Sequence, residues 1–184
     1  MDVKVAKTAG FCFGVKRAVE EVYKVAETTK GTVYTYGPII HNEEVVSDLE
    51  KKGVKVLETE EDLKNLTEGT VIIRSHGVPK YIYELLEERN ISYVDVTCPF
   101  VLKIHRIVEK ESAQGKHIVI VGDPNHPEVV GIKGWCQGKA TIIKTKEDAK
   151  SFLAESGEKL CIVSQTTFNY NNFQEIVEIL SRSE

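Results

Sequence analysis

One pattern occurs twice in the chain, and this repeat limits the fold more than any other feature. Ala9-Gly10-Phe11-Cys12-Phe13-Gly14-Val15 and Asp95-Val96-Thr97-Cys98-Pro99-Phe100-Val101 each set a cysteine between a β-like run and a helical run. A second shared signal follows each cysteine. Gly37-Pro38-Ile39-Ile40-His41-Asn42-Glu43-Glu44-Val45-Val46 matches Gly122-Asp123-Pro124-Asn125-His126-Pro127-Glu128-Val129-Val130. In both, glycine stands four residues before the histidine, and an acidic residue and a Val-Val pair follow it. The cysteine-to-histidine spacing is 29 residues in the first copy (41 − 12) and 28 in the second (126 − 98). Order, spacing and residue type agree together, so the chain is an internal duplication with a period near 85 residues.

Between these landmarks, β-like runs alternate with stretches of helical period. The pattern predicts strands at residues 3–6, 32–36, 54–57, 71–73, 91–96, 117–121, 140–144 and 160–164. It predicts helices at 15–28, 43–52, 59–66, 79–89, 99–114, 146–155 and 169–182, with a short helical turn at 128–131. Asn42 and Thr59 suit helix caps, Pro79 and Pro99 suit first helical turns, and Gly31, Gly53 and Gly115 suit helix stops. This alternation implies an α/β fold: two similar units, 1–97 and 98–184, with mainly parallel sheets flanked by helices. Ligands of such sheets bind beyond the carboxyl ends of the strands. Cys12, His41, His76, Cys98, His126 and Thr166 all fall just after a predicted strand.

The charge balance excludes some classes. A net charge of −4 and a pI near 5.8 argue against a general nucleic-acid binder, which carries a basic surplus. No apolar run approaches the ~20 residues needed to span a bilayer, and the opening residues carry no leader pattern. The expectation is a soluble, cytoplasmic protein without a membrane segment. Cys12, Cys98, Cys136 and Cys161 are far apart and form no C-x-x-C pair, so reduced thiols are expected.

Cys12 and Cys98 each precede a helix N-terminus, where open N–H groups and the macrodipole favour a thiolate. With Phe11, Phe13 and Phe100 around them, two thiolates point to soft metal ligation, iron–sulfur clusters above all. Cys136 and Cys161 lack this context and read as structural, as do His105 and His117. His41, His76 and His126, in Gly/Pro-containing loops, suit anion binding by imidazoles that donate hydrogen bonds. A zinc site of Cys12, Cys98 and His41 is the competing reading, although no paired H-x-x-x-H spacing supports it. Glu128, in the His126 loop, suits proton delivery, and Glu43 is its repeat partner. Thr166 and Thr167 either cap the last helix or offer a hydroxyl to a substrate or proton relay.

Gly10-Phe11-Cys12-Phe13-Gly14-Val15, His41-Asn42, Ser75-His76-Gly77-Val78, Thr97-Cys98-Pro99, His126-Pro127-Glu128-Val129 and Gln165-Thr166-Thr167 together resemble the 4-hydroxy-3-methylbut-2-enyl diphosphate reductase family of the non-mevalonate (methylerythritol phosphate) isoprenoid pathway. The resemblance implies three α/β units in a trefoil around a 4Fe–4S cluster, each unit giving one cysteine. Cys12 and Cys98 would be two ligands, and His41, His76 and His126 would hold the substrate's diphosphate. Glu128 would be the proton donor, with Thr166 near the substrate hydroxyl. The implied reaction is a two-electron, two-proton reductive dehydroxylation of an allylic diphosphate to isopentenyl and dimethylallyl diphosphates. A ferredoxin or flavodoxin-type partner would supply the electrons. The family's third unit carries a third cysteine and a Ser-x-Asn segment. The 86-residue step from Cys12 to Cys98 would next fall at position 184, so two units of three are expected here, as an N-terminal part. The family's first strand packs with the third unit, which leaves residues 3–6 without that partner. The alternative is a non-redox module that binds a phosphorylated metabolite through the histidines, with inert cysteines.

Overall fold

The computed structural model describes residues 2–182 of the 184. In chain order it contains α1 (Phe13–Thr28), β1 (Val33–Tyr36), α2 (Glu43–Lys51), β2 (Lys55–Leu57), α3 (Glu60–Lys64), β3 (Thr70–Ile73), α4 (Lys80–Glu88), β4 (Ser92–Asp95) and α5 (Pro99–Ala113). There follow β5 (His117–Val121), α6 (Pro127–Lys133), β6 (Ala140–Ile143), α7 (Lys146–Ser151), β7 (Leu160–Ser164) and α8 (Tyr170–Ser181). The residues pack as two units. Unit 1 is Met1–Ser75 with Ile91–Cys98, and unit 2 is His76–Asn90 with Pro99–Glu184. The expected division at residue 97 keeps 76–90 with the first unit; packing groups them with the second.

Unit 1 holds a four-stranded sheet in the order β2-β1-β3-β4, with every pairing parallel. Ala18, Val22 and Val25 recur on one stripe of α1 and bury against Val33, Ile72 and Val96 of the sheet region and Leu49 of α2. Helix α2 starts where the Asn42 side chain accepts from the Val45 N–H at 3.0 Å. Its charges suit the macrodipole, with Glu43 and Glu44 in the first turn and Lys51 in the last.

Unit 2 repeats the plan with a three-stranded parallel sheet, β6-β5-β7. All five residues of β5 are buried. Ile118 and Ile120 pack with Val108 of α5 and Val129 and Ile132 of α6. Val119 and Val121 pack with Ala149 of α7 and Ile176 and Leu180 of α8. A continuous apolar strand is what a parallel sheet covered on both faces demands.

The duplication reaches the capping chemistry. Thr59 accepts from Asp62 N–H at 3.1 Å while Asp62 accepts from Thr59 N–H, and Thr145 with Asp148 repeats this box. The step between the boxes, 86 residues (145 − 59), equals that between Cys12 and Cys98 (98 − 12).

Three expectations need correction. Residues 3–6 form no strand, and Val3 and Val5 are 82% and 80% exposed. The strand that precedes the second cysteine is β4, which pairs with β3, a strand from the preceding copy. Among the described residues no preceding copy offers residues 3–6 such an edge, and an extended run without one forms no ladder. Helix α6 runs to Lys133, beyond the expected turn, because Val129 and Ile132 continue a buried helical period. Helix α7 stops at Ser151, short of residue 155, because Phe152 turns into extended geometry and sets its ring against His117 at 5.4 Å.

The 152–159 turn is fastened at Glu158. Its carboxylate accepts from Glu155 N–H at 3.1 Å, faces His117 Nδ1 at 3.2 Å and lies 3.3 Å from Lys139 Nζ. The Glu155 amide first, then His117, pull its carboxyl down to about 2 from an ordinary 4.5. A depressed carboxyl stabilises the fold above its unfolded value, and this contribution is lost as pH falls through the folded value. Glu158→Gln should therefore melt below the native chain at neutral pH, and the gap should close as pH drops from 4.5 towards about 2. Melting temperatures across that interval check this; a gap that stays constant would contradict it.

Candidate functional site

The order of the sheets decides where a site can form. In unit 1 the chain leaves β1 for β2 on one side and returns for β3 on the other; in unit 2, β5, β6 and β7 do the same. At such a switch point the loops after the first and third strands diverge, leaving a crevice at the carboxyl edge.

In unit 2 this crevice holds Glu128 and Thr166. Glu128, in the first turn of α6, is only 2% exposed. Its Oε1 accepts from the Thr166 backbone N–H at 2.6 Å, and its Oε2 accepts from Thr166 Oγ1 at 2.8 Å. Both carboxylate oxygens are thus bound by one residue. Charge-assisted bonds of this length are the strong kind, and they fix the carboxylate's orientation. His126 caps α6, its Nδ1 accepting from Glu128 N–H at 3.2 Å, which leaves Nε2 as the ring's donor. The His76 ring meets that of His126 edge-on, with centroids 5.5 Å apart. Glu128, Thr166, His126 and His76 therefore all belong to unit 2.

In unit 1, Cys12 is the N-cap of α1 and is exposed. Cys98 follows β4, is half-buried, and donates its N–H to Ser75 O at 2.9 Å. The first turns of α1 grip this second cysteine. A Cβ on Gly14 would lie 2.5 Å from Cys98 Sγ, so only glycine allows the thiol to sit there. Arg17 Nη2 donates to Thr97 O at 2.6 Å, and Thr97 N–H donates to Asp95 Oδ1 at 2.9 Å. One helix therefore carries the first thiol and seats the second. Neither cysteine is in a disulfide. Two free thiols, one exposed and one half-buried against the first turn of α1, are a donor set that fits two corners of a thiolate-bound cluster. His41 is exposed beside a unit 1 pocket of about 350 Å³ that also includes Pro38, Asn42 and Glu43.

The residues set aside as structural have structural surroundings. Cys136 and Cys161 pack on the unit 2 core, and burial pushes the Cys136 thiol up to about 11 and the Cys161 thiol up as well. His105 is fully buried and stacks on Trp135 at 5.1 Å. His117 Nε2 lies 2.8 Å from Thr141 Oγ1. Sequence reasoning did not single out Arg17, and it named Gly14 and Gln165 only as members of motifs, without a role. Gly14 had one usable signal, a glycine in an early helical turn two residues after the cysteine.

A family model described as LytB protein matches residues 3–184. The chain is 50% identical over 181 residues to a 4-hydroxy-3-methylbut-2-enyl diphosphate reductase of Caldanaerobacter subterraneus, covering 98% of this chain and 62% of that protein. It is 46% identical to the reductase of the same name from Alkaliphilus oremlandii, over 99% of this chain and 64% of the relative. Among solved structures, the E-1-hydroxy-2-methyl-but-2-enyl-4-diphosphate reductase of Plasmodium falciparum superposes with a TM-score of 0.88 at 30% identity, over 96% of this chain and 55% of its own. A second, described as (E)-4-hydroxy-3-methyl-but-2-enyl diphosphate reductase, terminal enzyme of the non-mevalonate pathway, gives 0.83 at 41% identity, over 98% and 63%. The chain thus spans somewhat less than two thirds of these relatives. Among the described residues, no helix is long and apolar enough to cross a membrane.

Gly14→Ala should drive its new methyl into Cys98 Sγ, at a cost of about 1–3 kcal/mol typical of overpacking. Thermal unfolding and the rate of Cys98 alkylation check this, with Cys12 as internal reference. Faster Cys98 labelling and a lowered melting temperature are expected; native values of both would refute the seating.

Proposed function

The chain belongs to the LytB protein family, and from that membership we propose that it is the cluster- and substrate-binding portion of a 4-hydroxy-3-methylbut-2-enyl diphosphate reductase of isoprenoid biosynthesis. The observation that carries the reading is the buried Glu128 carboxylate, bound through both oxygens by Thr166 at the switch point of unit 2. In the proposed reaction the allylic C–O bond breaks and the hydroxyl leaves as water. Two electrons enter, and one proton goes to the leaving oxygen and one to carbon.

Each residue has a role in this reading. Cys12 and Cys98 would be two of the ligands of a 4Fe–4S cluster, which when bound would supply low-potential single electrons and a Lewis-acidic iron. A ferredoxin or flavodoxin-type protein is the electron donor. His41, His76 and His126 bind the diphosphate through imidazole N–H donors. Glu128 passes a proton to the leaving hydroxyl, and the Thr166 hydroxyl orients both groups. Glu43, the repeat partner of Glu128, is exposed, which supports assigning the proton to the second copy alone.

Anaerobic reconstitution of the chain tests the cluster: iron with sulfide is expected, whereas zinc without sulfide, or a colourless protein that binds diphosphate, would overturn it. Turnover is tested in a chimera with this chain in place of the matching span of the Caldanaerobacter relative. Glu128→Gln there should keep its iron and sulfide and lose about 10²-fold or more in kcat. Undiminished turnover would remove Glu128 from the reaction.

A further inference from the structure

We infer that Gln165 is a positioning residue that ties the loop after β5 to the loop after β7, and so holds Thr166 on Glu128 and His126 in register with both. Gln165 is the first residue after β7 and is 9% exposed. Its backbone continues the sheet, with its N–H donated to Val121 O at 2.8 Å. Its side chain turns across the crevice. Oε1 accepts from the Asp123 N–H at 3.2 Å, and Nε2 donates to Thr167 Oγ1 at 2.9 Å. The two ends of one amide thus reach two different loops, and turning the amide over would set N–H against N–H at Asp123.

Each loop passes the constraint on. Asp123 O accepts from His126 N–H at 3.0 Å, so the Asp123 end governs where α6 and its cap begin. On the other loop, Thr166 lies between the residue that spans the crevice and the hydroxyl it grips, and both of its donors meet Glu128. Gly122 makes the room. A Cβ there would lie 3.0 Å from Gln165 Cβ and Oε1 and 2.7 Å from Val129 Cγ2.

Unit 1 supplies an internal comparison. Arg74 stands first after β3 as Gln165 does after β7, and it too packs on the glycine that ends the first strand, 2.2 Å from where a Gly37 Cβ would lie. Yet its buried Nε has no hydrogen-bond partner among the described residues. The following Ser75 turns its hydroxyl to Ile39 O instead of a carboxylate. The position is shared; the amide bridge and the bound glutamate occur together in unit 2.

This inference rests on the proposed role of Glu128 only for its catalytic meaning, so it is tested first without turnover. The Thr166 amide signal in nitrogen–proton NMR should move as Glu128 takes up its proton, because that N–H bonds the carboxylate directly. Gln165→Met keeps the length of the side chain but neither hydrogen bond, and should reduce that movement several-fold while the β5 amides keep their native positions. Thr167→Val, a milder change, should reduce it less. In the chimera, Gln165→Met should lower kcat about tenfold or more, with KM changed less. Native amplitude in Gln165→Met, or amplitude lost in both variants only together with the β5 signals, would overturn the inference. Lost amplitude with native turnover would leave the positioning standing and remove the proton-donor role of Glu128 instead.

Discussion

In each unit the first strand is paired in parallel with both neighbours, and in unit 2 the chemistry depends on that constraint. β1 lies between β2 and β3, and β5 between β6 and β7. A strand packed on both faces cannot slip register without exchanging the side chains fitted to each face. The packing of Ile118 and Ile120 on one side and Val119 and Val121 on the other thus fixes the height at which the β5 loop begins. That loop carries His126 and Glu128, and β7, aligned with β5 from His117 to Val121, delivers Thr166 to the same level. The short bonds between Glu128 and Thr166 are thus a consequence of hydrophobic packing several residues away.

Duplication preserved this backbone plan and let the side chains diverge. Asn42 and His126 both cap the helix after the first strand, by a side-chain amide in one copy and an imidazole in the other. Glu43 is exposed and Glu128 buried, though both fall in the first turn of that helix. Unit 1 places its reactive groups at the start of α1, where Gly14 and Arg17 bind Cys98 and its neighbour. The same scaffold therefore presents two thiols in one unit and a buried carboxylate bound by Thr166 in the other.

Much of this was legible in the chain because its signals are local. Strands β5 and β7 match the expected bounds, and the start of α2 at Asn42 and the box at Thr59 follow from short-range hydrogen bonding. The capping box at Thr145 carries the same signal and extends the repeat beyond its cysteines and histidines. What stayed hidden needs a partner distant in sequence. Residues 3–6 have strand composition, yet strand formation depends on an edge supplied by other residues. Residues 76–90 read as an ordinary crossover between β3 and β4, and only the backbone's long-range contacts group them with unit 2. Gln165 is one glutamine among polar residues until Asp123, 42 positions earlier, is seen to donate to it.

The interleaving of the units bears on how the chain can acquire its structure during synthesis. Unit 1 needs β4 at Ser92–Asp95 to finish its sheet, while α4, made earlier, belongs to unit 2. A ribosome extruding this chain cannot release a finished first unit and then begin the second. When β4 emerges, α4, with its apolar Ile82 and Leu86, is already outside the tunnel, while the rest of unit 2 from Pro99 onward has yet to be translated. A chaperone that shields a single amphipathic helix for the time needed to add about a hundred residues, several seconds at bacterial rates, would matter more for this chain than for two units laid end to end.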